Sequence, residues 1–519
     1  MKIAIWAALL AVACAKSGPK NYGQPGTQAA FDLDSDPAQP GFFFELPYPS
    51  DLRLTADGKP QLASFPNPRG VPMLEIFRGM AMQRAGFPTV PVGYFRFSAP
   101  LAAGAQGLLI DLAAQAALPS VSELLQHDDY TPHDVLAVAP RQGFVLKPKS
   151  KYAFVVLRSA RDAAGALLGV PAALDQVLHG VTPEAALGAA ARDLYAPLPA
   201  ALRHAGVDPA EVAAATVFTT GDVVAETFAT SSAVMAKYPL TLSNLKLDAT
   251  LNPLACVLTG SMTVPQFQKG TPPFDSDGLF VFGSDGVPVK QRDEIAPIAI
   301  VIPRQLMPDA GYPLALYFHG SGGVSRAVID MGRTLTIGGQ PQAGTGPGYI
   351  MAMHGIASAG SALPVNPERL PGASDTAYLN FLNLPAMRDT FRQGVIEQRL
   401  FLDALLALQL PPSLLAGCTG AALPAGQSAF HFDASSTVAQ GQSMGGMYTN
   451  LVSAVEPRIR AAVPTGAGDC FLAGFAAGLA RGLDPLRAAR IGAYCGARAV
   501  EQIGVPRLTK VQAAEALAT

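Results

Sequence analysis

No histidine follows His431 in this chain of 519 residues; the seven present are His127, His133, His179, His204, His319, His354 and His431. A nucleophile in the last part of the chain would have to draw its base from upstream, because a serine hydroxyl without an imidazole partner reacts poorly at neutral pH. Cysteine is also scarce. There are five, with no CxxC pair, and the irregular spacing gives no metal-ligand pattern. Cys256, Cys418, Cys470 and Cys495 permit two disulfides in an exported protein, while the simplest reading makes most of them buried small apolar residues. Charge is low. Charged residues are 15% of the chain and the net charge is -2, which leaves no electrostatic footprint for nucleic acid.

Apolar residues reach 49%, the composition of a globular chain, and the length suggests two or three domains. Lys2 precedes an apolar run from Ile3 to Val12, too short to span a bilayer but suited to a signal-peptide core, so export is expected. Ala11-Val12-Ala13-Cys14 resembles a bacterial lipobox, which implies acylation of Cys14 and a lipid anchor in the membrane; ordinary cleavage after Ala13-Cys14-Ala15 is the alternative. Residues 1–15 are thus read as the targeting segment, and Lys16 to Gln28, rich in Gly, Pro and Ser, as a tether.

Gly441-x-Ser443-x-Gly445 follows a β-prone run and precedes a helix-compatible one. A chain turning sharply from strand to helix needs small residues beside the apex, and Gly441 and Gly445 supply them. With 51 glycines in the chain the motif alone is weak. Upstream, however, the buried-strand run Tyr312 to Phe318 leads directly into His319-Gly320-Ser321-Gly322-Gly323. Together the two motifs resemble the α/β-hydrolase superfamily, and the Arg388-Asp389 and Arg392-Gln393 run resembles the segment before the elbow in exported bacterial lipases and esterases. The resemblance implies Ser443 as nucleophile, oxyanion donors at Gly322, Gly323 and Met444, and His319 and Gly320 as supports of that loop. It implies a lipid or small ester as substrate, with no cofactor and no metal.

The expected fold is α/β: a hydrolase domain over 245–463, incomplete at its C-terminal side, after a β-rich domain over 28–240 that ends in helices. Strands are expected at Tyr94 to Ser98 and Tyr152 to Leu157, whose surroundings resemble bacterial Ig-like modules. Within the hydrolase, entry strands are expected at Leu279 to Phe282 and Pro297 to Pro303, a fourth strand at Ile356 to Val365, and a long helix from about Asn383 to Leu410. In this superfamily an acid and then a histidine follow the serine, and here no histidine does.

Beyond Pro464 the resemblance changes. Thr465-Gly466-Ala467-Gly468-Asp469 is similar to the C-terminal signature of ribokinase-type sugar kinases, in which the glycine turn stabilises phosphate charge and an aspartate, here Asp469, takes the proton of the sugar hydroxyl. Residues 464–519 are too few to make a kinase and are otherwise read as helices against the open edge of the hydrolase sheet. The abrupt change reads as a junction of two unrelated coding sequences. Three functions follow: an exported serine ester hydrolase, an inactive surface lipoprotein that binds a partner, and, on the last segment alone, a sugar kinase.

Overall fold

A computed structural model describes residues 21–249, 252–336 and 339–465. The targeting segment with Cys14, and the kinase-like Gly466, Ala467, Gly468 and Asp469, lie outside the described residues. The chain divides into two compact units between Asp222 and Val223.

The first unit carries a short helix α1 (Pro72–Ala81) and seven strands: β1 (Gly93–Arg96), β2 (Gly107–Asp111), β3 (Ala116–Leu118), β4 (Ser120–Leu124), β5 (Val135–Pro140), β6 (Lys151–Leu157) and β7 (Val212–Thr219). They form two antiparallel sheets, ordered β1-β5-β4 and β3-β2-β6-β7. In β6, alternate residues point to opposite faces. Tyr152, Phe154 and Val156 join Phe95, Leu136 and Val138 in the core between the sheets, while Ala153 and Val155 pack with Leu174, Leu194 and Leu198. Those last residues come from α2 (Ala172–Leu178), α3 (Gly188–Tyr195) and α4 (Leu198–His204). Helices thus cover the outer face of the larger sheet, which the resemblance to Ig-like modules does not include.

The second unit opens with α5 (Val223–Lys237), and its described residues are built on one seven-stranded sheet. Its strands are β8 (Leu242–Leu247), β9 (Ala255–Gln266), β10 (Arg292–Pro303), β11 (Tyr312–Phe318), β12 (Ala357–Ser361), β13 (Phe432–Gln442) and β14 (Ile459–Thr465), in the spatial order β14-β13-β11-β12-β10-β9-β8. The β14, β13, β11 and β12 ladders are parallel; β10, β9 and β8 are antiparallel. The expected entry strand at 279–282 makes only isolated bridges, Gln268 with Phe280 and Phe282 with Pro288, and β9 takes its place in the sheet.

Helices cover both faces, as parallel strands require. On one face Ile298, Ile300, Ile302, Leu314, Leu316 and Phe318 meet the long α8 (Leu384–Ala407) and α9 (Met444–Val455). On the other, Ala299, Val301 and Tyr317 meet α6 (Ala327–Asp330) and α7 (Pro347–Met353). Arg388 and Arg392 on α8 pair with the buried Asp389, which also accepts the Phe280 amide at 2.9 Å. A disulfide joins Cys256 on β9 to Cys418, so two of the cysteines are crosslinked and not free apolar fillers. Among the described residues no helix is long and apolar enough to cross a membrane.

Candidate active site

From β11 the chain moves outward to β12 and then returns across β11 to β13. Successive crossovers thus diverge between β11 and β13, and the crevice beyond the carboxyl ends of those strands is where an open α/β sheet accepts ligands. Phe318 pairs in register with Gly441, so the loop after β11 and the turn after β13 start side by side. The glycine loop 319–323 and the turn at 442–445 are these two pieces.

Ser443 stands between β13 and α9 at φ 57° and ψ -120°, a conformation costing a residue with a side chain about 1–3 kcal/mol. The surroundings hold it there. A Cβ on Gly441 would come within 2.0 Å of the Gly445 carbonyl oxygen, and one on Gly445 within 1.9 Å of the Phe318 carbonyl oxygen. One on Gly320 would lie 2.3 Å from Gln442 Oε1. The turn is therefore folded upon itself and pressed against the start of the glycine loop, with only hydrogen atoms where side chains would be. Ser443 is half-buried, and its hydroxyl has no hydrogen-bond partner among the described residues.

Of the expected oxyanion donors, Met444 is the first residue of α9, where amides lack partners within the helix. Gly322 has φ 68°, and the Asp375 carboxylate fills the space its side chain would need. Gly323 is different. Its amide donates to the Gly320 carbonyl at 3.0 Å, closing a tight turn, so it is committed inside the loop.

The loop is clamped from several sides. His319 is buried; its Nδ1 contacts the Gly320 carbonyl at 2.8 Å and its Nε2 accepts the Leu363 amide at 3.1 Å. Since Nε2 accepts, the proton sits on Nδ1 and is donated to Gly320. Desolvation pushes the imidazole pKa down to about 4, so the ring is neutral and both nitrogens are in use. Asn366 donates to the Gly323 carbonyl at 2.6 Å, Tyr378 shares a 2.9 Å hydrogen bond with Ser321, and Glu368 accepts from both the amide and the hydroxyl of Ser325. Val365, at the head of this clamping segment, holds φ 51°, a left-handed conformation that β-branched residues rarely adopt.

The remaining histidines of the second unit stand elsewhere. His431 immediately precedes β13 and His354 follows α7 just before β12, so both lie at the amino ends of parallel strands whose carboxyl ends carry the site. Along β13 that separation is roughly 35 Å. His127, His133, His179 and His204 belong to the first unit. No group of three or more His, Cys, Asp or Glu residues is placed to hold a metal ion among the described residues. Asn366, Glu368, Asp375 and Tyr378 carry no local motif that would mark them in the sequence; they reach the loop from 43 to 57 positions away.

Comparison with known proteins gives two separate likenesses. Residues 446–509 match the pfkB family carbohydrate kinase model, in line with the kinase-like signature but starting earlier, within α9. The chain is 65% identical to inositol 3-kinase of Zea mays and 63% identical to that of Oryza sativa subsp. japonica, in each case over 43 residues that make 8% of this chain and 11% of the relative. It thus spans about one tenth of the length of these curated relatives. Among solved structures, a Bacteroides fragilis protein assigned as an acetyl xylan esterase aligns over 46% of this chain and 50% of its own at 10% identity and a TM-score of 0.26. The acetyl xylan esterase of Paenibacillus sp. R4 aligns over 45% and 56% at 13% identity and 0.24, and the ferulic acid esterase of Streptomyces cinnamoneus over 44% and 58% at 17% identity and 0.19.

Proposed function

We propose that the second unit is an α/β-hydrolase-type scaffold for carboxylic esters, lipids or smaller, with Ser443 as the nucleophile and the amides of Gly322 and Met444 receiving the oxyanion. The observation that carries this reading is the strained Ser443 apex abutting the glycine loop at the point where the crossovers diverge. Export and a lipid anchor at Cys14 belong to the same reading, and the Cys256–Cys418 disulfide supports an oxidising compartment.

The base is the weak part of the machinery. His319 is occupied at both nitrogens and no histidine follows the serine in the sequence. Loss of the imidazole from a serine hydrolase costs roughly a million-fold in turnover, while oxyanion donors alone retain a small part of the rate. A fluorophosphonate probe should therefore label Ser443 slowly in the folded full-length chain and not at all in Ser443→Ala. Failure to label Ser443 in folded protein defeats the hydrolase reading.

The unpartnered serine also favours a second reading, an inactive surface lipoprotein whose β-rich domain binds a partner and whose hydrolase-type unit is a remnant. Normal folding with no ester hydrolysis over a broad pH range would select it. The kinase reading rests on residues beyond those described, and ATP-dependent phosphorylation of a sugar would revive it.

A further inference from the structure

Beside the glycine loop the second unit has an open cleft of about 490 Å³. One wall is the proline turn Pro272-Pro273 with Asp275, and the other is the segment 370–382, including Leu370, Ala373 and Phe381. That second wall is tied to the oxyanion loop: Tyr378 bonds Ser321, and Asp375, between the lining residues Ser374 and Thr376, sits against Gly322. It is also tied to the elbow helix, because the Tyr378 ring packs on Phe391 at 5.9 Å and Phe391 on Tyr448 at 4.9 Å. The wall of the cleft is thus packed against the framework that holds Ser443.

The charges around it are one-sided. Among the described residues no lysine or arginine lines the cleft. The basic residues on neighbouring strands and loops are already paired: Lys269 with Asp277, Arg292 with Glu294, and Arg369 with Glu294 and Glu397. Asp275 and Asp375 are exposed carboxylates without an ion pair among the described residues. A concavity lined by apolar and uncharged polar side chains, with Asp275 as its charged lining residue and Asp375 behind the same wall, attracts cations, accepts neutral groups and repels anions.

Resting on the esterase reading above, we infer that this cleft receives the non-reacting half of the ester and selects cationic or uncharged groups over carboxylate-bearing ones. Opposite charges a few ångströms apart at a wet surface are worth about fivefold or more in affinity.

The test is equilibrium binding, by ligand-detected NMR, of three esters to the full-length Ser443→Ala chain: acetylcholine, its neutral carbon isostere 3,3-dimethylbutyl acetate, and anionic 3-acetoxypropionate. We expect acetylcholine to bind about fivefold tighter than the neutral ester and the anion to bind weakest. Asp275→Asn should shrink the preference for the cation at least twofold, and Ala373→Phe should weaken the cationic and neutral ligands together. Equal binding of the anionic ester, or no response to either substitution, overturns the inference. Fluorophosphonate labelling of the parent chain separates this from the chemistry at Ser443: selective binding without labelling keeps the cleft and removes the hydrolase, and labelling without charge selection does the reverse.

Discussion

Acidification should weaken the second unit through His319, and His319→Gln should remove that sensitivity. An imidazole titrates at 6.5 when exposed and at about 4 in this fold, because burial opposes its charge. Between those values the unfolded chain binds a proton that the folded chain does not, so stability is complete above pH 6.5 and is lost as pH falls. At pH 4 the accumulated loss is about 3 kcal/mol, from 1.36 kcal/mol per pKa unit. Glutamine can still accept the Leu363 amide near the Nε2 position but cannot titrate. It gives up donation to Gly320, whose carbonyl keeps the Gly323 amide, so the cost at neutral pH is about 1 kcal/mol. The two stability curves should cross between about pH 5 and 6. Urea unfolding followed by far-UV circular dichroism at stepped pH, with amide exchange at Leu363 as the local probe, would measure this. Parallel curves for parent and variant would refute the claim that His319 is held neutral by burial.

Gly445→Ala places a methyl on the Phe318 carbonyl, which is backbone and cannot swing aside; a loss of about 3 kcal/mol and of Ser443 labelling is expected in the same unfolding and probe assays. Cys418→Ala opens a crosslink spanning 162 positions, worth roughly 5 kcal/mol if chain entropy dominates; the parent's Tm should fall in reductant and the variant's should not respond. At the gene, sequencing across the codons for residues 455–475 in independent isolates should reveal a junction, and an unbroken frame in all of them would count against one.

Local constraints were the legible ones. Tyr312 to Phe318 is a continuous apolar run, and β11 spans those same residues, because a strand covered on both faces leaves its signature in composition. The elbow was legible because the need for hydrogen atoms at residues 441 and 445 is set within a few positions. β9 has no such signature, since Thr259-Gly260-Ser261 and Pro265 break its apolar pattern, and its place is decided by twelve paired residues on β10. The loop's clamp and the disulfide were invisible for the same reason: Asn366, Tyr378 and Cys418 act through partners brought near only by the completed fold. The commitment of the Gly323 amide could not be read from a motif that treats adjacent glycines alike.

β14 closes the described sheet at one margin, and Ala461, Ala462, Val463 and Pro464 all face solvent there. Parallel strands ordinarily live in the interior, so this rim has the sequence of an inner strand and the surroundings of an outer one. Among the described residues no strand pairs with its outer edge, whose backbone groups form a template for any extended chain that arrives. Cut at residue 465, the second unit should therefore be sticky, pairing rim to rim with its own copies before it meets a substrate.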